Sequence, residues 1–156
     1  MYSLSPMKSS MIRDKQGYYP KTAALPHQVE AIDYISKHHE VALFDGQGLG
    51  KTKIVIDSLC AAMKESEIEG VLVVSPMSLL YNWEQEVTKH SFLIPIVLKG
   101  TGREKRYKFL TGANFYITNY ESVIAEVERI RRFCRSRKVA IVLDESARLA
   151  RGRVTK

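Results

Sequence analysis

The chain has 156 residues, 45% of them apolar, which fits one globular domain with a real core and excludes disorder as the default. Twenty-four Lys and Arg against 17 Asp and Glu leave a net charge of +7, a balance that suits a polyanionic partner. No apolar run approaches the ~18 residues of a membrane span, the first residues lack a signal-peptide core, and Cys60 and Cys134 lack C-x-x-C spacing, so a membrane span, a disulfide scaffold and a cysteine metal site are not expected.

Residues 1–20, rich in Ser, Lys and Tyr, read as an extended N-terminal arm, and residues 21–156 as one lobe. Val29, Ile32 and Ile35 recur at helical spacing and predict a helix from His27 to about His39. The apolar run from Val41 predicts a buried strand over Val41–Asp45. A helix from Gly50 to about Glu65 follows, with Val55, Ile56, Leu59, Cys60 and Met63 on one side. Val71–Pro76 reads as a parallel strand covered on both faces. Next come a helix from Ser78, its expected N-cap, to His90, a strand Ile94–Lys99 and a basic helix after Gly102. A strand Asn114–Asn119, a helix Glu121–Arg137 with Val123, Val127, Ile130 and Cys134 inward, and a strand Val139–Asp144 complete the pattern. Alternating strands and helices imply an α/β fold with a mostly parallel sheet and right-handed crossovers.

Two stretches carry chemistry. Asp45-Gly46-Gln47-Gly48-Leu49-Gly50-Lys51-Thr52, between a predicted strand and a predicted helix, has the make-up of a phosphate-binding loop. Small residues let successive main-chain N–H groups approach phosphate oxygens at a helix N-terminus. Lys51 would reach the β- and γ-phosphates, and the Thr52 hydroxyl would ligate Mg²⁺. The general pattern begins with Gly, and Asp45 stands there instead. The second stretch is the apolar run Val139–Leu143 ending in Asp144-Glu145, which is expected to set two carboxylates at the C-terminal edge of a central strand, where open α/β sheets bind ligands. Asp144 would hold Mg²⁺ through water, and Glu145 would orient or deprotonate an attacking water. ATP and Mg²⁺ are the cofactors this pairing calls for.

From Leu25 to the C-terminus these residues resemble the first RecA-like lobe of a helicase superfamily two ATPase, most similar to Snf-type double-stranded DNA translocases related to chromatin remodellers. The family's first motif also begins with Asp. Leu25-Pro26-His27-Gln28 is similar to its upstream glutamine motif, which implies that Gln28 reads the adenine edge. Ser75-Pro76-Met77-Ser78-Leu79-Leu80-Tyr81-Asn82-Trp83-Glu84-Gln85-Glu86 is similar to its next motif and is the most family-specific stretch. By itself Trp83 reads as core packing rather than a base-stacking platform. Gly100-Thr101-Gly102-Arg103 with Arg106 resembles a glycine-basic motif, and Ile117-Thr118-Asn119-Tyr120-Glu121 a Thr-Tyr-Glu segment. The resemblance implies a RecA-like P-loop NTPase lobe, a three-layer sandwich around a mostly parallel sheet. It also implies duplex DNA as a partner, with Ser75, Pro76, Ser78, Arg103, Arg106, Thr118 and Asn119 as candidate backbone contacts, and an intracellular location, cytoplasmic or nuclear.

The chain departs from the family at Ser146-Ala147, where a His usually follows the Asp-Glu pair two residues on and links the γ-phosphate to later motifs. The coupling of hydrolysis to movement is therefore left open. The sequence stops at Lys156, so the next strand and a second RecA-like lobe with its arginine finger are expected to lie elsewhere, in cis or in trans. Such a finger supplies about 10³–10⁵ in rate, so this chain is expected to bind ATP better than it turns it over. The basic run Arg129–Lys138 is adequately explained by a solvated helix end, whereas Arg103–Lys108 points to nucleic acid. The competing functions are a non-catalytic DNA- or protein-binding remnant of such a motor and a small-molecule or nucleotide kinase using the same loop.

Overall fold

The computed structural model describes residues 18–38, 40–43 and 50–145. In chain order these form α1 (Pro26–Ser36), α2 (Lys51–Lys64), β1 (Gly70–Val74), a 3-10 turn (Met77–Leu79), α3 (Leu80–His90), β2 (Ile96–Val97), α4 (Gly102–Leu110), β3 (Phe115–Thr118), α5 (Tyr120–Ala125), α6 (Val127–Ser136) and β4 (Val139–Leu143). The chain divides into two compact units, Met1–Ile68 with Gln85–Ile94, and Glu69–Glu84 with Pro95–Lys156.

The second unit holds a four-stranded sheet in the order β2-β3-β1-β4, every pair parallel. Its register sets Val71 opposite Phe115 and Ala140, and Val74 opposite Thr118 and Leu143, so the C-terminal ends of β1, β3 and β4 lie level. All five residues of β1 and all four of β3 are buried, as β-branched strands covered on both faces must be. Leu72, Val74 and Tyr116 point to one face, where Ile130 and Phe133 of α6 complete the core. Tyr116 meets Phe133 edge-on and Phe109 at a tilt, both with centroids 5.0 Å apart. Val71, Val73, Phe115 and Ile117 alternate with them and have no exposure at all. β4 ends the sheet among the described residues, with Ile141 57% and Leu143 56% exposed, and Asp144 follows it directly.

The first unit is built on α2, whose Ile54, Ile56, Leu59, Cys60 and Met63 are buried as its helical periodicity requires. Burial pushes the Cys60 thiol up to about 12 and raises that of Cys134, which favours the neutral thiol at both. A buried Lys53–Asp57 ion pair of 2.6 Å lies on the same helix, and Lys53 Nζ also donates to the Thr22 carbonyl at 3.0 Å. Pro20 bridges Ser91, Lys21 N donates to the His90 carbonyl at 2.7 Å, and the Thr22 hydroxyl meets His90 Nδ1 at 2.7 Å. These bonds fix residues 20–22 against the end of α3.

Several expected elements differ. Residues 41–43 carry no strand pairing, and the rest of that predicted strand, with Asp45, Gly46, Gln47, Gly48 and Leu49, lies outside the described residues. The long helix expected over Glu121–Arg137 is two helices broken at Glu126, a buried carboxylate that pairs with Arg129. Val29 on α1 is 54% exposed, and the buried residue of that helix is Gln28. Ser78 sits inside the 3-10 turn, which starts from Pro76, and is not a cap.

Candidate functional site

In the first unit, α2 begins from Gly50, whose φ of +73° puts it in the left-handed region that glycine enters without strain. Gln28 lies against it: a Cβ on Gly50 would come 2.5 Å from Gln28 Nε2. Gln28 is 5% exposed, and its Oε1 accepts the Leu25 N–H at 3.0 Å, satisfying that donor at the start of α1. The residue expected to read a base therefore also fastens the N-terminus of α1 beside Gly50. Lys51 and Thr52 fall in the first turn of α2, half-buried, where helix N–H groups and dipole favour an anion.

In the second unit the strand tips gather the remaining residues. The Asp144 N–H donates to the Val74 carbonyl at 2.9 Å, extending the β1–β4 ladder by one residue. The Tyr120 hydroxyl donates to the Asp144 carbonyl oxygen at 2.6 Å. Burial, then the nearby Asp144 and Glu145 carboxylates, raise the Tyr120 phenol above its ordinary value, so it stays a donor across the physiological range. Trp83, 3% exposed on α3, donates its indole N–H to Asp144 Oδ2 at 2.8 Å, and the Ser75 hydroxyl reaches the same oxygen at 3.4 Å. Sequence reasoning placed Trp83 in the core but missed this bond. The signal was there in principle, because a buried indole N–H needs an acceptor.

Glu145 is exposed and has a φ of +51°, a left-handed conformation that costs a non-glycine residue about 1–2 kcal/mol. Such strain collects where a side chain must be aimed. The donor set suits a hydrated Mg²⁺: both described hydrogen bonds to the Asp144 carboxylate go to Oδ2, leaving Oδ1 as an acceptor for a metal-bound water. Among the described residues no group of three or more His, Cys, Asp and Glu gathers as a metal cage.

The candidate nucleic-acid contacts separate into two sets. Ser75, Thr118 and Asn119 are buried, at 0%, 0% and 1% exposure. Asn119 Oδ1 caps α5 by accepting the Ser122 N–H at 3.2 Å, and its Nδ2 donates to Glu121 at 2.7 Å. In this arrangement these three side chains present no surface to a phosphate, contrary to the expectation. Ser78, Arg103 and Arg106 are exposed and Pro76 half-buried. Around them, Lys108 Nζ binds the Val97 and Lys99 carbonyls at 2.8 and 2.9 Å, Lys105 binds the Ser122 hydroxyl, and Thr101 and Glu104 form a capping box that starts α4. These bonds fix the glycine turn, while Arg103 and Arg106 have no partner among the described residues. The other basic run is structurally engaged, with Arg129 on Glu126, Arg131 on Glu128 at 2.6 Å and Arg137 over the Phe133 ring at 5.0 Å.

A mostly parallel α/β sheet with polar groups collected at its strand tips is the architecture of a RecA-like lobe. A solved structure described as the Sulfolobus solfataricus SWI2/SNF2 ATPase core in complex with dsDNA matches 78% of this chain and 24% of its own, with a TM-score of 0.61 and 25% identity. The model of the SNF2-related domain matches residues 23–155, and the chain belongs to that family. Among its relatives, the DNA repair and recombination protein RAD54-like of Gallus gallus is 32% identical over 104 residues, 56% of this chain and 14% of that protein. The chromatin remodeling factor mit1 of Schizosaccharomyces pombe is 28% identical over 141 residues, 80% of this chain and 10% of that protein. The chain thus spans a small fraction of the relatives it matches.

Proposed function

We propose that this chain is the ATP-binding motor lobe of a DNA-dependent ATPase of the translocase kind, working with a second RecA-like lobe. The observation that carries the reading is Asp144, fixed at a strand tip by main-chain and side-chain bonds, in a chain of the SNF2-related family that also bears a phosphate-loop sequence. The loop 45–52 cradles the triphosphate, with Lys51 on its β- and γ-oxygens. Thr52 and, through water, Asp144 are the residues that would hold Mg²⁺, which when bound would supply neutralisation of phosphate charge. Glu145 orients the attacking water and takes its proton, and Gln28 borders the nucleotide. Exposed Ser78, Arg103 and Arg106 meet the DNA backbone. The solved relative's complex with dsDNA supports duplex DNA as the partner.

Lys51→Ala is expected to weaken ATP·Mg²⁺ binding about 10- to 100-fold, the worth of one hydrogen bond to a charged group. Equal affinity in a fluorescent-nucleotide titration would remove the basis of the reading. Duplex binding should weaken steeply between two salt concentrations, and Arg103→Ala and Arg106→Ala should each lower the salt slope by about 1. A slope unchanged in both variants would exclude this face as the DNA contact. A second reading, the non-catalytic DNA- or protein-binding remnant, is favoured by Ala147. DNA-stimulated phosphate release by this chain would count against it.

A further inference from the structure

We infer that Trp83 is a positioning residue for the metal-facing carboxylate, holding Asp144 so that one oxygen stays available to hydrated Mg²⁺. The inference rests on the nucleotide-binding reading above and assigns a role to a side chain otherwise accounted for as core.

The geometry is specific. Asp144 is restrained from three elements: its N–H by the Val74 carbonyl of β1 at 2.9 Å, its carbonyl by the Tyr120 hydroxyl of α5 at 2.6 Å, and its Oδ2 by the Trp83 indole of α3 at 2.8 Å. Ser75 Oγ adds a longer contact to Oδ2 at 3.4 Å. An indole N–H is a donor only, so the carboxylate oxygen that it meets is the acceptor of the bond. The bond is shielded from competing water, since Trp83 is 3% exposed and Ser75 fully buried. Packing would be satisfied by any large apolar side chain. The indole N–H adds what packing does not need, a charge-assisted bond that selects one carboxylate rotamer. Outer partners of this kind typically contribute about 10- to 100-fold to metal affinity.

Trp83 is also the one tryptophan of the chain, so its emission reports on this contact directly. The test uses Mn²⁺ as the metal and a fluorescent ATP analogue as the nucleotide. In W83F the Mn²⁺ concentration for half-maximal binding, at saturating nucleotide, should rise about 10-fold, while metal-free nucleotide affinity stays at the parent value. A purely structural role would instead lower the unfolding midpoint and leave the metal dependence alone. Unchanged Mn²⁺ dependence in a folded W83F overturns the inference and leaves the nucleotide reading standing. Failure of the parent to bind the analogue at all overturns the nucleotide reading and this inference with it. Should W83F not fold, the parent decides: Mn²⁺ with nucleotide should change Trp83 emission, and D144N should abolish that change. Emission indifferent to Mn²⁺ in the parent overturns the inference.

Discussion

Tyr116→Ala is expected to lower the unfolding free energy by about 3–5 kcal/mol, the usual result of deleting a large aromatic from a packed core. Tyr116 is 1% exposed at the centre of the β1–β3 face, touching Phe109 of α4 and Phe133 of α6 through ring contacts worth about 0.5–1.5 kcal/mol each beyond their area. Its ring therefore joins both helices to the sheet. Its hydroxyl reaches the Lys108 carbonyl at 3.3 Å, so Tyr116→Phe should lose only about 1 kcal/mol. Urea unfolding followed by Trp83 emission, which reports on the same unit, measures both. Equal losses in the two variants would mean that the hydroxyl, not the ring, secures this face.

Glu145→Gln is expected, under the proposed function, to slow ATP hydrolysis about 10²- to 10⁴-fold, the contribution of a placed general base. The amide preserves the size of the side chain but cannot accept the water's proton. The left-handed backbone at Glu145, with φ of +51°, is the same for Gln, so stability should not move. Single-turnover phosphate release at saturating ATP and duplex DNA, alongside nucleotide affinity, separates the two effects. Hydrolysis at the parent rate would remove Glu145 from the proton transfer, and loss of nucleotide binding would recast it as a binding residue.

Local pattern carried most of the fold into view, and contact between distant segments accounts for what it missed. The buried stripe of α2 and the β-branched runs of β1 and β4 were legible because helical period and continuous apolar runs are properties of neighbouring residues. The strand expected over Val41–Asp45 lies partly outside the described residues, and its described part, 41–43, carries no strand pairing among them. A helix that periodicity ran straight through breaks at Glu126, since residue spacing alone does not tell that this carboxylate is buried. At the site, Asp144 and Glu145 stood out as carboxylates at a strand end, yet the Trp83 bond joins positions 61 apart and has no counterpart in spacing. Thr118 and Asn119 were legible as a strand end and turn, but not as buried, because a short polar segment reads the same whether it caps a helix or faces a ligand.

The outer side of β4 has a consequence for the molecule in solution. Among the described residues no strand pairs with it, and its two greasy side chains, Ile141 and Leu143, are more than half exposed. Lys138 and Asp144, at its two ends, are charges of the kind that discourage unwanted pairing. One acidic or basic substitution at Ile141 is therefore expected to lower any self-association of this chain, read as light scattering against concentration.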